Sequence, residues 1–256
     1  MIPTRRAAPA QSGNRFSDKI MLHQKVKARA FSSRTKRMRS VAGGALLLLG
    51  VSSLPALADD GKGITRPPGR ATSCTPCHGR NGEGQPVRGI PRLAGLNADY
   101  FERQLASFKN ATRRNRIMLM IASDLSDDES RALASYYAGM STPKPQTAPA
   151  DRAVIAAGAE LAANGDPSKD LQGCGQCHGA DGLGAGADFP RLAGQSALYI
   201  EKALRSWKAG DRKNDPGGVM ADVANKLTDD QIKSVAAYYE SLPIAAAAPA
   251  PEANKP

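Results

Sequence analysis

Histidine is scarce in this chain, with three in 256 residues. Aromatic residues make up 5%, with one tryptophan, so rings alone cannot build a core. No apolar run reaches the ~20 residues that a membrane-spanning helix needs. Acids are almost missing from residues 1–58, which hold only Asp18 but 11 of the 35 Lys and Arg. The formal net charge of +11 therefore sits in the leader, because residues 59–256 carry 24 basic and 23 acidic side chains. With that balance the case for nucleic acid or another polyanion as partner falls away.

The leader has its own pattern. The basic stretch Arg34 to Arg39 precedes an apolar run, Val41 to Val51, and Ala56-Leu57-Ala58 supplies small residues where a signal peptidase reads them. This predicts a secretory signal peptide, residues 1–58, removed after Ala58. The alternative is an uncleaved anchor, for which the run is too short. The charged segment ahead of it is long, which leaves Met1, Met21 and Met38 as candidate starts, and Arg5-Arg6 is too distant for a twin-arginine signal. The expectation is a soluble mature protein in the periplasm.

Four cysteines remain to be explained: Cys74, Cys77, Cys174 and Cys177. An even count in an exported protein ordinarily suggests disulfides. Here, however, the cysteines form Cys74-Thr75-Pro76-Cys77-His78 and Cys174-Gly175-Gln176-Cys177-His178. C-x-x-C-H is the attachment sequence for c-type haem: two thiols form thioethers and the adjacent imidazole reaches the iron. A thioredoxin-like pair or a zinc half-site competes for one C-x-x-C. Neither reading explains two copies that each carry the histidine, and no further thiol is left to complete a zinc shell.

Histidine arithmetic then bears on the other face of the iron. His23 leaves with the leader, and His78 and His178 are used as proximal ligands. Bis-histidine ligation is excluded unless another chain supplies a ligand. Methionine is the expected distal ligand, from Met118, Met120, Met140 and Met220. A thioether favours reduced iron and raises the potential.

An internal repeat narrows the choice. Cys74 to Gly84 aligns with Cys174 to Gly184, and Pro91-Arg92-Leu93-Ala94-Gly95 recurs as Pro190-Arg191-Leu192-Ala193-Gly194. Phe101, Leu105 and Phe108 recur as Ile200, Leu204 and Trp207, one helical face in each half. Ser126 to Glu129 and Thr228 to Gln231 both read as capping boxes, opening helices that end in Tyr136-Tyr137 and Tyr238-Tyr239. Met118 stands seven residues before Leu125, as Met220 stands seven before Leu227. The alignment therefore selects Met118 and Met220, with Met120 the rival in the first half and Met140 a packing residue. Pro91 and Pro190 are placed to accept a hydrogen bond from the far nitrogen of each proximal imidazole, with Leu93 and Leu192 as haem contacts. A plain turn before a helix is the competing reading of those segments.

These residues resemble the cytochrome c4 family, two-domain dihaem carriers. The likeness is most specific in Cys174 to Gly184, Phe189 to Gln195, Lys213-Asn214-Asp215 and Met220 to Tyr239. The resemblance implies an all-α protein of two tandem class I cytochrome c domains, two covalent haem c groups, and a haem–haem contact across the interface. It also implies electron delivery to a terminal oxidase. The expected layout is a first domain over 59–140, a linker over 141–150, a second domain over 151–244 and a tail over 245–256. Asp151 to Asn164 predicts a leading helix with Val154, Gly158 and Leu161 on one face. Pro67-Pro68 and the nearby glycines leave the first domain at most a short turn starting on Pro68.

Full His/Met ligation predicts an electron carrier and not an enzyme; a dihaem peroxidase would need an open iron position and a distal acid–base group. Expected partners are a membrane oxidase or a quinol-oxidising complex, with membrane association only through them. The alternative function is the cytochrome subunit of a periplasmic dehydrogenase.

Overall fold

A computed structural model describes residues 68–141, 144, 147–148 and 150–244. The expected signal peptide, the three candidate starts, His23, residues 59–67, half of the expected linker and the expected 245–256 tail lie outside the described residues. Those described form nine α-helices and no strands, only isolated bridges.

In the first half these are α1 (Thr75–His78), α2 (Ala98–Lys109), α3 (Arg116–Ser123) and α4 (Asp127–Ala138). The second half contains α5 (Arg152–Asn164), α6 (Gly175–His178), α7 (Ala197–Lys208), α8 (Val219–Lys226) and α9 (Asp229–Ser241). Each longer helix starts where a polar side chain can take an orphan N–H. Asn97 caps α2 and Ser196 caps α7, each accepting from the tyrosine amide three residues on. Both expected capping boxes form, Ser126 with Glu129 and Thr228 with Gln231.

Two apolar cores result. Phe101, Leu105, Phe108, Leu125, Leu133 and Tyr137 build the first, and Phe101 stacks on Tyr137 with ring centroids 5.6 Å apart. Leu161, Ile200, Leu204, Leu227, Ile232, Val235 and Tyr239 build the second. The repeat persists in single hydrogen bonds: Gly95 N–H donates to Tyr137 O, and Gly194 N–H to Tyr239 O, both at 2.8 Å.

The leading helix expected of the second half forms as α5, capped by Asp151. α5 crosses α9 at Gly158, where an added Cβ would lie 2.0 Å from the Ser234 carbonyl oxygen. Gly158, Leu161 and Ala162 are buried there, but Val154, one turn earlier, is past the contact and 38% exposed, contrary to the expected face. In the first half the described residues open on a 3-10 turn, Gly69–Ser73, with Pro68 as its N-cap and not its first helical residue, and the stretch that would match α5 lies outside the described residues.

The halves meet through a crossed pair of side-chain contacts. Arg113 donates to Tyr199 Oη at 2.8 Å, and Arg212 donates to Tyr100 Oη at 3.1 Å. Gln104 Oε1 accepts from Arg113, Arg212 and Asn214 at 2.8 to 3.0 Å. Backbone joins backbone beside them: Arg114 N–H donates to Asp211 O, and Lys213 N–H to Thr112 O. The Pro86–Arg88 turn lies on α7, where Lys202 Nζ donates to Arg88 O at 3.0 Å. Nearby, Gln195 exchanges two hydrogen bonds with the Arg92 backbone.

Candidate haem sites

Both C-x-x-C-H motifs wind into a single helical turn, α1 and α6, closed by a glycine at positive φ. The turn brings the two thiols and the imidazole onto one short element. No disulfide joins any of the four cysteines, which leaves each available for a thioether bond. Before haem is attached, burial pushes up the thiol pKa of Cys74 and Cys177, and that of Cys174 to about 11, so these thiols are protonated at neutral pH.

The two imidazoles are 8% and 7% exposed. His78 Nδ1 lies 2.9 Å from Pro91 O, and His178 Nδ1 lies 2.8 Å from Pro190 O. A prolyl carbonyl can only accept, so Nδ1 carries the proton in both rings. The lone pair is left on Nε2, which fixes tautomer and ring direction as iron ligation requires. Burial lowers both imidazole pKa values, outweighing the opposite pull of the carbonyl, so the neutral ligating form prevails.

Glycine makes this approach possible. Gly84 and Gly184 have φ of +81° and +87°, and a Cβ on either would lie 2.8 to 2.9 Å from the proline carbonyl carbon. Their own N–H groups donate to His78 O and His178 O at 2.8 Å. Each such glycine clamps the histidine turn to the proline segment.

Met118 is half-buried and packs on the first core beside Leu93, while Met120 is 67% exposed. Met220 packs on the second core beside Leu192, and Met140 packs at the edge of the first, as expected for a packing residue. Each half therefore offers two thiols, one oriented imidazole and one half-buried thioether. Other polar groups are short of partners. Arg191 Nε and Trp207 Nε1 are buried donors without acceptors. Among the described residues no carboxylate comes within ion-pairing distance of Arg113 or Arg212. This set fits haem c, whose carboxylates are acceptors and whose ring adds apolar surface to two small cores.

Sequence reasoning missed the interface set Tyr100, Gln104, Arg113, Tyr199 and Arg212. One signal was present: Tyr100 and Tyr199, like Arg113 and Arg212, stand 99 residues apart, the offset of the surrounding repeat.

Comparison with known proteins agrees with this geometry. The family model for cytochrome c matches residues 155–243. A thiosulfate dehydrogenase electron acceptor of Stutzerimonas stutzeri (strain A1501) is 40% identical over 205 residues, covering 79% of this chain and 94% of the relative. A cytochrome c4 of Thiocapsa roseopersicina is 38% identical over 172 residues, 66% of this chain and 86% of that one. This chain belongs to the cytochrome c4 family. The solved cytochrome c4 of Pseudomonas stutzeri has a TM-score of 0.62 at 30% identity, over 68% of this chain and 95% of that one. A thiosulfate dehydrogenase from Marichromatium purpuratum gives 0.64 at 38% identity, over 68% of this chain but only 37% of its own length.

As a cytochrome c4 relative, the protein is an all-α, class I electron-transfer cytochrome with two covalent haem c groups, and not an enzyme. Among the described residues no helix is long and apolar enough to cross a membrane.

Proposed function

We propose that this cytochrome is the electron acceptor of a sulfur-compound dehydrogenase, with thiosulfate as the reference substrate, and that it works in the periplasm. The observation that carries this is the 40% identity to a thiosulfate dehydrogenase electron acceptor across 94% of that relative. The domains proposed are 59–140 and 151–244, joined by 141–150.

Within each domain the side chains take separate roles. Cys74 and Cys77, and Cys174 and Cys177, form the thioethers. His78 and His178 would ligate the iron through Nε2, aimed by the Pro91 and Pro190 carbonyls. Met118 and Met220 would supply thioether ligands, which would bias the couple toward the reduced state, as suits an acceptor. When bound, the haem supplies a one-electron iron couple, so the two together take up two electrons per chain. A terminal oxidase is the proposed receiver, since a carrier must be reoxidised to act again.

The test is reduction of the oxidised protein by thiosulfate and a purified thiosulfate dehydrogenase, followed in the visible spectrum. Two haem equivalents reduced per chain, at a rate set by the dehydrogenase, is the expected result. No acceleration by the dehydrogenase, together with rapid reduction by membranes that oxidise quinol, would reassign the donor to a quinol-oxidising complex.

A further inference from the structure

Six large apolar side chains are exposed among the described residues, and three of them, Ile117, Leu119 and Met120, stand on α3. α3 also bears Met118, so a haem held there would shelter part of Ile117 and Leu119, each about 100° round the helix from it, and Met120 is the side chain turned farthest from that side. Ile117 is 64% exposed and Met120 67%. Successive side chains on an α-helix turn by about 100°, so Met120 projects from nearly the opposite side to Met118. A group bound at the Met118 sulfur therefore leaves the outer side of Met120 open.

The repeat supplies an independent comparison. Counting from Met118 and Met220, the position of Met120 is filled on α8 by Asp222, which is exposed and paired with Lys226 at 2.9 Å. Leu119 is matched by Ala221 and Ile117 by Val219, both half-buried. The same helical position thus faces water in both halves. In the second half it carries a solvated charge, and in the first an adaptable apolar side chain of the kind used at re-packing contact surfaces.

Charge is divided in the same way. Arg114 and Arg116 flank the apolar face and are exposed. Arg114 is loosely paired with Asp211 at 3.8 Å, whereas Arg116 has no acid within ion-pairing distance among the described residues. Residues 68–141 hold ten Lys and Arg against seven Asp and Glu, and residues 150–244 hold ten against thirteen. The half with the apolar face is cationic, and the other is anionic.

We propose that this face of α3 is the docking surface for a redox-partner protein that presents an apolar spot rimmed by carboxylates. The proposal rests on the carrier reading above and adds where the partner sits. Opposite charge steers the encounter, and a small apolar contact holds the complex briefly, as a carrier that must let go requires. Contact on the helix that bears Met118 makes the first haem the one nearest the partner.

The holoprotein can be tested on gold electrodes coated with mixed methyl- and carboxylate-terminated alkanethiols, which present the partner's chemistry without the partner. Met120→Asp and Ile117→Ser should slow interfacial electron transfer by about tenfold, as loss of a contact hot spot does. Met120→Gln, milder for the fold, should fall between them and wild type. Arg116→Glu should lose most of the ionic-strength dependence, while Asp222→Asn should behave as wild type. Unchanged visible spectra and potentials show that the variants are folded.

Wild-type rates in Met120→Asp and Ile117→Ser would overturn the proposal, as would equal slowing in Asp222→Asn. So would a wild-type dimer that Met120→Asp dissolves, or binding to phosphatidylglycerol vesicles that Met120→Asp abolishes, since either names a different occupant. The electrode holds no dehydrogenase, so its result does not depend on which enzyme reduces the protein. Failure of the thiosulfate assay with a positive electrode result removes the donor assignment and leaves the docking face standing.

Discussion

Met118 and Met120 are two residues apart and chemically identical, yet they should behave differently. Met118→Ala is expected to turn the first haem high-spin, or leave it with a substitute ligand, and to lower its potential. Met120→Ala should leave the low-spin spectrum intact, and potentiometric titration with optical spectra distinguishes the two. The seven-residue spacing to Leu125 and Leu227 proposes Met118 and Met220 as the pair, and Met118, unlike Met120, packs against the first core. The proline carbonyls were legible too, as residues that could reach the imidazoles. The reason they can approach was not, because a glycine says nothing of what its missing Cβ would strike. Gly84→Ala should cost about 2–4 kcal/mol, from a side chain at positive φ driven into the Pro91 segment. Denaturant unfolding followed at the first haem would register it, and unchanged stability would show that the clamp yields.

At the level of elements, the second half opens on a thirteen-residue helix, and the described part of the first half opens on a five-residue turn. The Asp151 cap announced that helix. Where α5 meets α9 was less legible. Periodicity put Val154 on the inner face, but the close passage at Gly158 set which turn is covered, and Val154 lies beyond it. Gly158→Ala should cost the second half about 3 kcal/mol by overpacking a backbone contact, with little effect on the first half. Because its prolines and glycines disfavour a matching helix, the first half is expected to open earlier. In denaturant, the charge-transfer band retained by Met220→Ala should vanish at lower concentration than that retained by Met118→Ala. Equal midpoints would show that the turn shelters its haem as well as the helix does.

Across the whole molecule, sequence patterns gave two halves but not how they join. The contacts pair residues about a hundred positions apart, and no local period marks them. Gln104 is the centre of this network, its one oxygen accepting from two arginines and an asparagine. Gln104→Leu would strand those donors at a cost of about 2–4 kcal/mol, whereas Gln104→Glu keeps an acceptor. The expected signature is that unfolding of the halves, monitored haem by haem, separates in Gln104→Leu and stays coupled in Gln104→Glu.

The crossed pair has a further consequence. Arg113 with Tyr199, and Arg212 with Tyr100, are one contact made twice with the partners exchanged, which is how two identical subunits meet about a two-fold axis. Two separate copies would hold such a contact only while concentrated enough to find each other. Joined in one chain, each half meets the other at an effective concentration of order millimolar, set by the tether and independent of dilution. The two redox centres thus stay paired in a single diffusing particle, however few copies of it a compartment contains.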